Sequence, residues 1–153
     1  MAGTYSQVNI HSVFAVKGRE NLIAQEWRNR LHVYLRGILE NEKIFPLAVG
    51  GWLDHVHIFY ELPMTKDISS ITRVLKSNSS KWINENDFVR QKFSWQEGYG
   101  AFSHSRAQRD TLIKYIINQE QHHRKQSFKH EYVEVLKRYD ILYEPKFLFE
   151  FYG

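Results

Sequence analysis

The chain contains no cysteine. That absence excludes disulfides, thiolate nucleophiles and cysteine-based zinc sites together, and it fits a reducing compartment. Long apolar runs are missing as well. The longest, around Ile44 to Leu53, is interrupted by Pro46, Gly50 and Gly51 and falls far short of a membrane span. Met1 to Ile10 has neither the basic nor the apolar region of a secretory signal, so a cytoplasmic protein with no membrane partner is expected. No low-complexity tract, internal repeat or long linker interrupts the sequence, and residues 1–153 read as a single domain. What is present is a core-forming composition, with 42% hydrophobic and 15% aromatic residues, too apolar for a disordered chain. Lys and Arg number 21 against 17 Asp and Glu, a net charge of +4 that leans mildly toward a polyanionic partner.

The pattern along the chain predicts an order of elements. Val8, Ile10, Phe14 and Val16 alternate as a first strand that ends at the Lys17-Gly18 turn. Asn21 is a possible N-cap for a helix on which Leu22, Trp27, Leu31, Tyr34, Leu35, Ile38 and Leu39 recur at helical spacing. Ile44 to Val49 reads as a second strand, with Pro46 favouring an edge or a bulge. Gly50-Gly51 opens a loop into a third strand, His55 to Leu62. Asp67 is the N-cap of a second helix with the stripe Ile68, Ile71, Leu75 and Trp82. Tyr99 to Ser103 is a short fourth strand. Ser105 to Gln108 has the capping-box pattern and begins a third helix, Arg106 to about Lys125, that buries Leu112, Ile113, Ile116 and Ile117. A fourth helix is expected over His130 to Tyr139, followed by an aromatic tail from Leu142 to Tyr152. The order β-α-β-β-α-β-α predicts an α+β, ferredoxin-like fold: an antiparallel sheet with helices mainly on one face, plus a C-terminal helix.

The third strand carries the chemistry. Side chains two apart share a face, so Val56, Ile58, Tyr60 and Leu62 face the helices, whereas His55, His57, Phe59 and Glu61 point to the other side, expected to be open. Paired imidazoles on a rigid strand are half of a divalent-metal site. A His-x-His triplet is a short motif, however, and eight histidines make a chance occurrence common. A second element comes from the third helix, where Tyr115 and Gln119 are four apart and share one face, which His122 continues. Taken singly, each of these residues is also compatible with ordinary packing.

Jointly, His55-Val56-His57, the glycine-bearing strand and Tyr-x-x-x-Gln resemble the HUH single-tyrosine transposases of the insertion-sequence 200/605 group. The resemblance runs from about Val8 to Tyr139 and includes Trp95-Gln96-Glu97-Gly98-Tyr99-Gly100-Ala101-Phe102-Ser103 and Gln119-Glu120-Gln121-His122-His123-Arg124. It implies a transposase that cuts and rejoins single-stranded DNA at hairpin-flanked element ends. In this reading Tyr115 is the nucleophile that forms a 5′-phosphotyrosine. His55, His57 and Gln119 would hold one Mg2+ or Mn2+, with His122 an extra ligand or an outer contact. The resemblance also implies a homodimer whose active sites are shared between chains.

DNA contacts draw on other residues. Arg73, Lys76 and Lys81 lie on or beside the polar side of the second helix, and Arg106 and Arg109 on the third, with Lys114, Arg124 and Lys125 as further phosphate contacts. Each is equally compatible with a solvated basic face. Three other readings stay open: a domesticated, repeat-associated hairpin nickase of the same fold; a non-catalytic ferredoxin-like nucleic-acid-binding module in which Phe59 stacks bases; and a metal hydrolase in which water attacks.

Overall fold

A computed structural model describes residues 5–119 and 128–138. Four strands, β1 (Asn9–Ala15), β2 (Pro46–Gly51), β3 (His55–Glu61) and β4 (Gly100–His104), form one antiparallel sheet in the order β2-β3-β1-β4. Helices α1 (Gln25–Asn41) and α2 (Ile68–Glu85) connect them, and α3 (Arg109–Ile117) and α4 (Phe128–Arg138) follow β4. The fold is therefore the expected α+β, ferredoxin-like one.

One face of the sheet makes the main core. Ile10 and Phe14 of β1 and Val56, Ile58 and Tyr60 of β3 pack against Trp27, Leu31, Leu35 and Leu39 of α1 and Ile71, Leu75 and Ile83 of α2. Asp67 caps α2 by accepting the Ser70 N–H at 2.8 Å. The expected start of α1 at Asn21 is corrected: the helix begins at Gln25. Residues 21–24 remain outside it because the Ile23 N–H bonds to the Leu53 carbonyl at 2.8 Å, which draws the Ile23 side chain into the core.

The second strand also ends later than its sequence suggests. Gly50 and Gly51 belong to β2, not to the loop, and Gly50 pairs with His57. Pro46 sits on the edge strand, beside a register irregularity between Pro46 and Ala48, where its missing N–H does least harm. The third helix is shorter than predicted. A 3-10 turn, Arg106–Gln108, closed by the expected capping box, precedes α3, which ends at Ile117. Residues 120–127 and the tail from 139 lie outside the described residues, and with them His122, Arg124 and Lys125.

The opposite sheet face is not open where an open face was expected. The α3 helix crosses it, and Phe59, Ala48 and Ile116 form a second buried cluster with Leu112, Ile113 and Tyr115 against it. Phe59 is fully buried there, whereas Ile117, expected on the buried side of the helix, is 65% exposed, because α3 meets the sheet through Leu112, Ile113 and Ile116. Gly50 permits this approach: a Cβ at that position would drive into the Ile116 carbonyl oxygen. Among the described residues no helix is long and apolar enough to cross a membrane.

Candidate metal and nucleophile site

The antiparallel register assembles a row of imidazoles. His55 and His57 share a face of β3, and the pairing of β1 with β3 sets Ala15 opposite His55, Val13 opposite His57 and His11 opposite Phe59. Sharing this face, His11 lies diagonally beside His57. His11 Nε2 and His57 Nδ1 are 2.8 Å apart, with the rings stacked at 5.1 Å. Burial, and then the neighbouring His57 and His104, hold the His11 pKa well below the ordinary imidazole value. His11 is thus neutral and has an acceptor nitrogen to offer. With the His57 proton on Nδ1, donated to His11, the Nε2 lone pair is turned outward.

His55 is anchored differently. Its Nδ1 lies 2.7 Å from Asp54 Oδ1, and Asp54 in turn accepts from Arg19 Nε at 2.6 Å. Burial pushes the Asp54 carboxyl up, but His55 and the Arg19 guanidinium outweigh that and hold it below its usual value. The carboxylate fixes the ring so that Nε2 faces the helices that roof the site.

Tyr115 and Gln119 meet those nitrogens from above. Gln119 is 1% exposed, and its Oε1 is 3.0 Å from His55 Nε2. Its amide nitrogen donates to the Tyr115 carbonyl at 3.1 Å, which settles which end of the amide turns toward His55. The Tyr115 ring stands edge-on to His57 with centroids 5.6 Å apart. Four side chains from two distant parts of the sequence thus converge within one chain.

A fifth residue escaped the sequence reading. Glu131 of α4 is 3% exposed, and its carboxylate lies 3.0 Å from His57 Nε2. Ligand atoms of His55, His57 and Glu131 all lie within 4.8 Å of one another. Two imidazole nitrogens, an amide oxygen and a carboxylate oxygen make a buried donor set that suits a divalent cation such as Mn2+ or Mg2+. His11, Asp54 and Glu131 carried no motif. The one available signal was the alternation of β1, which puts His11 on the odd-numbered face once the strand pairing is known.

The basic residues divide. Arg73 is exposed and, with Lys76, Lys81, Lys92, Trp95 and Tyr99, lines a groove between α2 and the segment before β4. Lys76 donates to the Gln96 and Gly98 carbonyls at 2.8 and 2.6 Å, and burial lowers its pKa. Lys81 lies 3.9 Å from Glu85 on the surface of α2. Arg106 is exposed. Arg109 pairs with Glu61 and donates to Asn9 Oδ1, tying the start of α3 to β1 and β3.

Residues 4–119 match the family model described as transposase, IS200 like. This chain belongs to the IS200-like transposase family. The IS200 transposases of Salmonella typhimurium (strain LT2) and Salmonella typhi are each 30% identical over 105 residues, which cover 65% of this chain and 68% of theirs. Two solved structures share the fold of this IS200-like transposase. One, a chain from Deinococcus radiodurans R1 described as a transposase, has a TM-score of 0.64 at 22% identity and covers 78% of this chain and 95% of its own. The other is a REP-associated tyrosine transposase bound to a REP hairpin, with a TM-score of 0.54 at 15% identity, covering 76% of this chain and 68% of its own.

Proposed function

We propose that this IS200-like transposase cuts and rejoins single-stranded DNA at hairpin-flanked element ends, with Tyr115 as nucleophile and His55, His57 and Gln119 holding one Mg2+ or Mn2+. The observation that carries this reading is the convergence of Gln119 Oε1 on His55 Nε2 at 3.0 Å while the Tyr115 ring stands against His57.

The chemistry follows from these groups. A phosphodiester is anionic and its alkoxide leaving group is poor. A bound divalent cation supplies charge neutralisation at the non-bridging oxygens and polarises phosphorus. Imidazole and amide ligands add no negative charge, so they leave that polarising power intact. A phenol has an ordinary pKa near 10, so Tyr115 must lose its proton as it attacks. Its oxygen forms a bond to phosphorus while the bond to the 3′-oxygen breaks, and that oxygen takes up a proton. The product is a 5′-phosphotyrosine and a free 3′-hydroxyl. Rejoining reverses the exchange with a second 3′-hydroxyl, so the phosphoryl bond is kept and no nucleotide triphosphate is consumed.

For DNA binding we assign phosphate contacts to Arg73, Lys81 and Arg106, which are exposed, with Lys76 and Arg109 as neighbours that also brace the fold. The fold-sharing REP-associated protein, bound to a hairpin, supports a hairpin ligand. The homodimer with shared sites remains part of this proposal, as does a cytoplasmic place of action. The arrangement within one chain, Tyr115 against its own His57, is the alternative to a shared site. The base-stacking module is disfavoured because Phe59 is enclosed by Ala48 and Ile116.

Incubating the protein with Mn2+ and an end-labelled single-stranded hairpin tests the reading on a denaturing gel. The expected outcome is a protein–DNA adduct that disappears in Tyr115→Phe. An undiminished adduct in Tyr115→Phe overturns the nucleophile assignment, and cleavage without any adduct favours attack by water.

A further inference from the structure

We propose that Glu131 of α4 is a fourth ligand to the divalent cation and, among the described residues, the single anionic one, an assignment that rests on the metal-site reading above. Glu131 lies beyond the segment 4–119 that matches the family model, so the family match assigns it nothing.

Three observations carry the proposal. First, Glu131 is 3% exposed, and carboxylates are almost never so buried unless paired or bound to a metal. Second, the partner it meets is a nitrogen of the His pair. His57 is held through Nδ1 by His11, and the Nε2 so presented lies 3.0 Å from the Glu131 carboxylate. Third, the spacing is that of neighbouring ligands. Two donors each at the 2.0–2.1 Å that a small octahedral cation demands, set at right angles, lie about 3.0 Å apart. The His57–Glu131 contact has this separation, and so has the His55–Gln119 contact. The four donors therefore form two pairs, each one imidazole and one oxygen, each already at ligand spacing.

The consequence is chemical as well as geometric. With His55, His57 and Gln119 alone the ligand set is neutral. A carboxylate raises affinity for a hard divalent ion while leaving the complex net cationic, still attractive to a phosphodiester. It also ties α4 to the sheet through the ion, so loading the site and seating this helix become one event.

The rival is an ion pair with His57 that holds α4 in place without touching a metal, and two variants separate the two roles. Glu131→Gln keeps the shape and removes the charge, whereas Glu131→Asp keeps a carboxylate on a shorter stem. The full chain is titrated with Mn2+, with free ion followed by electron paramagnetic resonance and melting recorded with and without the ion. The expected result is a Glu131→Gln affinity at least about tenfold weaker, the loss that even outer partners of a metal site cause. Glu131→Asp falls between Gln and wild type, and the Mn2+-dependent rise in Tm shrinks in the same order. Wild-type Mn2+ affinity in Glu131→Gln overturns the assignment. So does a loss in Glu131→Asp equal to or larger than that in Glu131→Gln, because the isosteric change would then be the milder one. His55→Ala separates the two readings. If it abolishes Mn2+ binding while Glu131→Gln keeps the wild-type affinity, only the Glu131 assignment falls; if wild type takes up no Mn2+, the metal-site reading falls with it.

Discussion

At the scale of single residues, burial decides what the histidines do. His11 is neutral because burial and two imidazole neighbours penalise its charge, and that neutrality lets its Nε2 accept a hydrogen bond from His57 Nδ1. His32 on α1 shows the same force outside the site: burial, then Arg28, His55 and His57, lower its pKa to about 4. This has a thermodynamic consequence. An unfolded histidine titrates near 6.5, so between pH 6.5 and about 4 the unfolded chain binds more protons at this position than the folded one. Stability therefore rises with pH across that window; His32 contributes fully above pH 6.5 and its contribution is lost as pH falls toward 4. The ceiling is about 3 kcal/mol, since each pH unit between the folded and unfolded values is worth roughly 1.4 kcal/mol, and partial exposure reduces it. Urea unfolding of wild type and His32→Gln from pH 4 to 7 should show a flatter acid limb in the variant. Parallel curves would mean that His32 titrates normally in the folded chain.

At the scale of elements, the decisive contact is between α3 and β2. Gly50 leaves the space into which the Ile116 carbonyl fits, and Ile116 in turn packs on Ala48 and Phe59. This seating sets the height of Tyr115 and Gln119 above the imidazoles. Gly50→Ala puts a methyl group against backbone, which no rotamer change relieves, and should cost about 1–3 kcal/mol in denaturant unfolding. The same shift lifts α3, so adduct formation should fall by more than the loss of folded protein explains; an unaltered stability and rate would refute this seating. The sequence made much of this legible. Period-two alternation placed β1 and β3, Asp67 and the capping box marked helix starts, and short spacings drew attention to His55, His57, Tyr115 and Gln119, whose roles only the family resemblance implied. What escaped it depended on contacts distant along the chain. No local pattern tells that Gly50 serves a close approach in a strand instead of a turn, or that α3 covers Phe59. Glu131 was hidden for the same reason, since one glutamate on an amphipathic helix reads as a solvated charge until the helix is docked.

At the scale of the whole molecule, the sheet separates two tasks. The face under α1 and α2 is apolar and supplies the core, so the opposite face can carry polar groups beneath α3 and α4. The basic groove lies apart from that core, between α2 and the segment leading to β4. A net charge of only +4 does not make the molecule generally sticky for polyanions, so any DNA affinity must come from local concentration of charge. Arg73 and Lys81 supply it on the exposed side of α2, while Lys76 holds the groove wall by donating to the Gln96 and Gly98 carbonyls. Binding to a single-stranded hairpin should weaken linearly on a double-logarithmic salt plot, with a slope of about 0.7 to 0.9 per phosphate neutralised. Arg73→Ala with Lys81→Ala should therefore make that slope shallower by about 1–2 units and weaken binding with little regard to sequence. Unfolding should change little, since the pair of Lys81 with Glu85 is exposed and such pairs contribute at most about 0.5 kcal/mol. Fluorescence anisotropy of a labelled hairpin across a range of salt concentrations measures both quantities. An unchanged slope in the double variant would move the phosphate path off α2 and toward Arg106, in the 3-10 turn that precedes α3.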